Sequence, residues 1–343
     1  MKSTIHKHQK NNFKIVRKTL KNISLLLLAT LSLTSCSDDE NQNFEQLPPS
    51  AAQFGSIRQT ALDNLTQHFT MTAGIGPVTF TSTKGVVITI NGNCLTKNGN
   101  PVTGSVDIEY VELFDKGHML TTNKPTMGLM GNGDKNLLIS GGEFYINATQ
   151  GGQQLATGCN ITLVVPSNLT ETAVDNAMTL WNGIVDDPEN LTWAAANPAT
   201  GGPQGGGVGF EQNSYYVTFG NFGWTNVDRF YSDPRPKTTL LASVPNGYDN
   251  TNCAIYLSYD GEGTNALAKL DTYNPTTKKF SEHYGQIPVG LECHVIFATE
   301  ESGQWRYAIK AVTVAPGDDY TFTLGETTLG SEAQLVAAIN AIQ

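Results

Sequence analysis

The sequence predicts an all-β protein: two tandem β-sandwich domains with a short N-terminal helix and a C-terminal helix. Beyond the leader, apolar residues recur with period two in short segments. Between the runs stand turn-forming residues, with 34 Gly among 343 residues and many Thr and Asn. Only 15% of the chain is charged, the texture of an extracellular β protein.

The first 35 residues are set apart. Lys2, Lys7, Lys10, Lys14, Arg17, Lys18 and Lys21 precede an apolar run from Ile23 to Leu33, and no acidic residue interrupts them. That run has 11 residues, whereas a spanning helix needs about 20, so it predicts a secretory signal peptide over 1–35. It ends in Leu33-Thr34-Ser35-Cys36, which resembles the lipobox of bacterial lipoproteins. The resemblance implies cleavage before Cys36, acylation of its sulfur and new amine, and membrane attachment through that lipid. No other cofactor is expected. Residues 36–50 read as a flexible tether. Its Ser37-Asp38-Asp39-Glu40 resembles the export signal of surface-exposed Bacteroidetes lipoproteins, which implies an outer-membrane protein facing the cell exterior.

Loss of the leader leaves 14 Lys and Arg against 31 Asp and Glu, a net charge near −17. Nucleic acid and anionic lipid headgroups both need Lys/Arg clusters, so neither is an expected partner.

Residues 51–182 are expected to hold a helix and the first sandwich. Phe54, Ile57, Leu62, Leu65 and Phe69 form a stripe that predicts an amphipathic helix over 51–69. From Pro77 the period becomes two, in Val78-Thr79-Phe80 and then Val86 to Ile90. Lys97-Asn98-Gly99-Asn100 is a hairpin signal. Strands follow over 104–113, 143–148 and 159–165. Asn98 to Glu112, His118 to Met127, and Ser140-Gly141-Gly142-Glu143-Phe144-Tyr145-Ile146 resemble a pattern in Bacteroidetes surface proteins. There it belongs to immunoglobulin-like or carboxypeptidase-regulatory-like β-sandwiches. The resemblance covers about a third of the chain and implies a fold, not an activity.

Residues 183–213 carry Asp187-Pro188, Asn197-Pro198 and the run Gly201-Gly202-Pro203-Gln204-Gly205-Gly206-Gly207, which predicts a linker or loop between domains. The second sandwich is expected over 214–343. Its strands begin at Tyr215, Thr239, Cys253, Cys293, Arg306 and Tyr320, and Ser331 caps the closing helix.

Strand phase turns Cys94, Cys159, Cys253 and Cys293 inward. Two disulfides, 94–159 and 253–293, would each staple one domain; four buried free thiols are the alternative. No Cys/His spacing suits zinc.

Candidate chemistry is sparse. Trp224, Asp228, Arg229 and Tyr231 can form a sugar-binding platform, with a ring to stack on a pyranose and charged groups to bond its hydroxyls. The competing reading is a core plug with an Asp228–Arg229 pair fixing a turn. Glu109 and Glu112 have opposite strand phase, so they make a poor glycosidase pair. His294 and Glu292 share a strand face, which predicts a solvent-facing ion pair. The oxygen-rich stretches 249–252 and 260–263 lack the EF-hand register and read as turns. The expected function is non-enzymatic: a binding or scaffold module, such as an accessory subunit of an outer-membrane protein complex. The alternative is a glycan-binding lipoprotein of a nutrient-uptake system.

Overall fold

The computed structural model describes residues 47–343 apart from 171–172, 188–189, 197–205, 283 and 343. The leader, Cys36, the tether up to Gln46 and most of the Gly201–Gly207 run lie outside the described residues. The protein is mostly β, with three α-helices among the described residues. None of these is long and apolar enough to cross a membrane.

Helix α1 (Ala51–Leu65) starts at a capping box, in which the Ser50 hydroxyl and the Gln53 side chain each bond the other's backbone N–H. It stops at Leu65, four residues short of the expected Phe69. Thr66 is already extended, and the Thr residues that alternate through Gln67–Ala73 favour a strand. Phe69 therefore packs from a strand, with its ring 5.0 Å from that of Phe80.

The largest sheet has the order Gln67–Ala73, Gly104–Leu113, Lys135–Gln150, Gly223–Phe230, Thr179–Asp187, Asn190–Ala195, Met127–Leu129. The last of these also pairs with Lys135–Gln150. Five strands thus close on themselves as a small barrel. Leu138, Trp181, Leu191 and Trp193 pack together inside it, with Trp224 against them. Closure needs tight passages: a Cβ on Gly128 would lie 2.6 Å from Leu138 Cδ2. The opposite face of this sheet carries Ile108, Tyr110, Phe144, Ile146 and Val227. These join Ile88, Ile90, Leu163 and Val217 of a second, five-stranded sheet in one core.

Two further sheets face each other after residue 240 and share that core: Ile255, Leu257, Val295 and Phe297 on one, Ala242 and Phe280 on the other. The outer side of the sheet that holds Ile255 and Val295, with Ala254, Tyr256, Ile296 and Trp305, is covered by residues of α1, α2 (Lys116–Thr121) and α3 (Glu332–Asn340). Ser331 caps α3 as expected, accepting from Gln334 N.

The expected boundary needs correction. Ser214–Phe219 pairs with Ile161–Pro166, and Gly223–Phe230 lies between Lys135–Gln150 and Thr179–Asp187. The segment 214–230 therefore completes sheets begun before the 183–213 stretch. Its apolar period identifies strands, but period alone does not choose their partners.

Cys94 and Cys159 form a disulfide, with Cα atoms 5.6 Å apart, and both are only partly buried. Cys253 and Cys293 are buried free thiols, which corrects the second expected bridge. Cys253 stands opposite Thr299 and Cys293 opposite Tyr259. Six residues of strand separate them, about 20 Å at 3.3 Å per residue, far beyond disulfide reach.

Candidate functional site

The four-residue platform expected at 224–231 does not converge. Trp224 lines an open cleft. Asp228 is fully buried. Arg229 pairs with Asp175 rather than with Asp228. Asp175 is held below the usual carboxylate range: burial opposes this, but bonds from Ala177 N–H and Arg229 outweigh it. Tyr231 donates to Asp233 and meets Tyr259 edge-on at 5.3 Å. Burial and then that Asp233 bond push its hydroxyl up to about 12. Strand alternation puts Arg229 and Tyr231 on the opposite face from Trp224 and Asp228, since consecutive side chains leave opposite faces.

What the structure does assemble is a row across the large sheet. Val111 lies opposite Tyr145, Tyr145 opposite Trp224, and Gly183 opposite Trp193. Gly183 fills the gap between the two tryptophans: a Cβ there would come within 2.5 Å of Trp224 Cβ and 3.3 Å of Trp193 Cζ3. The rings can therefore lean together. Trp224 is 5.3 Å from Tyr145 at a 41° tilt and 6.4 Å from Trp193 edge-on. Trp193 is anchored below by its Nε1, which donates to Pro125 O.

Tyr145 and Trp224 form the floor of a cleft of about 460 Å³. Gln59, Leu62 and Asp63 of α1 make one wall, while Val185 and Leu191 make another. His68 and Glu109, directly opposed on adjacent strands, supply polar groups along the floor with Lys124. Asn147 donates to Glu109 Oε2 at 3.2 Å. Lys124 Nζ stands 5.5 Å from the centre of the Trp224 ring, a cation–π distance. Burial, and next the Glu109 charge, raise the Tyr145 hydroxyl above its ordinary range, so it stays a neutral donor. The cleft thus offers stacking surface, hydroxyl, amide, carboxylate and imidazole within one open groove.

One step along the same strands lies a buried polar group of Ser140, Glu143, Asn226 and Asp228, all at 0% exposure. It depends on a bulge: Glu143 opposes Asn226 and Ser140 opposes Asp228, so Gly141 and Gly142 together face Val227 alone. The bulge keeps Ser140 and Glu143 on one face. Gly142 takes φ +133°, and a Cβ on it would lie 2.6 Å from Phe114 and Phe144. Ser140 Oγ donates to Asn226 Oδ1 at 2.9 Å, and Asn226 Nδ2 donates to Asp228 Oδ2 at 2.5 Å.

The remaining sequence candidates are structural. Glu112 is enclosed by Ser82, Tyr110, Gln67 and the Lys84 N–H. His294 meets Asp260 at 2.8 Å, not Glu292. In the 249–252 stretch Asp249 and Asn252 bond its own backbone N–H groups, as turns do. Among the described residues no group of three His, Cys, Asp or Glu side chains is placed to hold a metal ion.

No protein-family model matches the chain, and no curated protein matches it significantly.

Proposed function

We propose that this is an outer-membrane lipoprotein, held through acylated Cys36, whose β-rich body is a non-enzymatic binding module with the Trp224–Tyr145 cleft as its ligand site. The ligand class that fits is a carbohydrate. The observation that carries this is the pair of tilted aromatic rings on the floor of an open groove, rimmed by Gln59, Asp63, His68 and Glu109. Aromatic faces take the apolar side of a pyranose, while amide and carboxylate groups bond its hydroxyls. The immunoglobulin-like resemblance adds a scaffold type that carries sites on its surface.

A second reading, docking on an outer-membrane protein complex, draws on the hairpin beside the cleft. It exposes Ile184 and Val185, the latter at 55%, a surface suited to a protein contact.

The test is a glycan microarray followed by calorimetry on the purified lipoprotein and on Trp224→Ala. The carbohydrate reading expects binding by the parent and at least a tenfold loss, about 1.4 kcal/mol, in a variant that keeps its far-UV spectrum. An absence of glycan binding, with a stoichiometric partner retained in mild detergent, replaces it with the complex-subunit reading. Cys36→Ala should move the protein out of the membrane fraction; persistent tight anchoring would overturn the lipid attachment.

A further inference from the structure

Glu143 is the polar side chain this fold serves worst. It is fully buried, yet neither carboxyl oxygen has a hydrogen-bond partner, and neither does Asp228 Oδ1 beside it. Two charged carboxylates so enclosed are untenable without donors or compensating charge. A single proton resolves the shortage. Asp228 already receives the Asn226 amide, so it is the better carboxylate. Glu143, with no donor of its own, is the better acid, and Asp228 Oδ1 is a vacant acceptor for its hydroxyl.

The charges around the pair are few. Asp228 comes from the Gly223–Phe230 strand, and Lys124 from the turn after α2 acts on Glu143 from the cleft side. Leu113 opposes Glu143 on the Gly104–Leu113 strand. Trp181 opposes Asn226 on the Thr179–Asp187 strand. Asn265 reaches the same region through Ser140 O. The ionisable groups Asp63, His68 and Glu109 belong to the cleft beyond Tyr145. Arg229 is occupied by Asp175, and Glu112 by its own five donors. Lys124 is therefore the cation shared between the acid pair and the Trp224 ring.

We propose that Glu143 and Asp228 hold one proton between them, with Glu143 donating to Asp228 Oδ1, and that this proton sets where Lys124 stands in the cleft. With the proton in place the pair carries one negative charge, and Lys124 rests over Trp224. When the proton leaves to solvent, the pair carries two negative charges and draws the ammonium toward Glu143, uncovering the ring face. Burial, and next the neighbouring Asp228 charge, raise Glu143 well above the ordinary carboxyl range, so the transition lies above that range. The inference concerns the unliganded protein and does not depend on the carbohydrate reading.

The test is a pH titration of tryptophan fluorescence in the purified lipoprotein, with Glu143→Gln, Lys124→Met and Trp224→Phe alongside. The amide introduced by Glu143→Gln keeps a donor toward Asp228 but has no proton to lose in this range. The expected result is a one-proton transition above the ordinary carboxyl range in the parent, absent from all three variants. A transition that survives in Glu143→Gln overturns the proposal. So does a parent that shows none from the ordinary carboxyl range up to the alkaline limit of its folded state. A parent transition lost in Glu143→Gln but kept in Lys124→Met overturns the Lys124 link. Thermal melts confirm that each variant is folded over the same range.

Discussion

Lys116 and Glu143 are both ionisable and both at 0% exposure, but the fold treats them in opposite ways. Lys116 Nζ donates to Ser258 Oγ, Gly263 O and Ile342 O at 2.8–2.9 Å, so all three of its protons are used. Burial lowers its basicity, with the Asp260 charge opposing. Glu143 has been given nothing. A buried charge supplied with partners acts as a tie, here between α2, the Cys253–Tyr259 strand and the chain near residue 342. A buried acid left without partners is a place where protonation must do what hydrogen bonds do elsewhere. The difference separates a residue that holds the molecule together from one that responds to its surroundings.

The contrast can be broken experimentally, most forcefully at Lys116. Lys116→Met leaves three acceptors without a donor and should cost about 3 kcal/mol, read as a lower urea midpoint. A loss below about 1 kcal/mol would show that the tie is dispensable. At the cleft, Gly183→Ala forces a methyl against Trp224 Cβ. It should cost about 2 kcal/mol and shift the tryptophan emission, since the ring has to leave its neighbours. The smallest change has the opposite sign. Glu143 and Asp228 have folded-state pKa values above their unfolded ones. The native state therefore binds more protons than the unfolded state across the window from the ordinary carboxyl range upward, and stability falls as pH rises through it. Glu143→Gln removes that decline at Glu143. It should stabilise by about 1 kcal/mol at pH 8 and have no effect near pH 4; equal melts at both values would contradict a buried acid.

Much of the fold was legible because strands announce themselves locally. Gly104–Leu113 and Cys253–Tyr259 lie where their alternation places them, and the Asn98-Gly99 turn takes positive φ at both residues, as its chemistry requires. The Ser331 cap is equally local. Pairing is not local. Nothing in Gly223–Phe230 says that it belongs between Lys135–Gln150 and Thr179–Asp187, and that insertion is what moved the boundary. The cleft was hidden for the same reason. Trp224 could be singled out by composition. Its companion Tyr145 lies 79 positions earlier, and Gln59, His68 and Lys124 reach the groove from three different segments. From the sequence Gly183 reads as the start of a linker, and only its register opposite Trp193 reveals that it makes room for rings. All four cysteines are expected to face inward, but facing alone does not make a disulfide: register holds Cys253 and Cys293 apart, while Cys94 and Cys159 meet just beyond the short Leu95–Lys97/Ala156–Thr157 pairing.

The closed ring of five strands has a consequence for how the protein meets its neighbours. A strand at the margin of an open sheet exposes unpaired N–H and C=O groups, a ready template for another chain. Here Met127–Leu129 joins Asn190–Ala195 on one side and Lys135–Gln150 on the other, leaving no such margin within the ring beneath the cleft. Partners reaching that part of the molecule meet side chains rather than backbone. Among the described residues, the margins that remain include Gln67–Ala73 at the end of the large sheet and Pro77–Thr81 with Gly207–Glu211 in the second, where unpaired backbone is left for strand-to-strand association between copies.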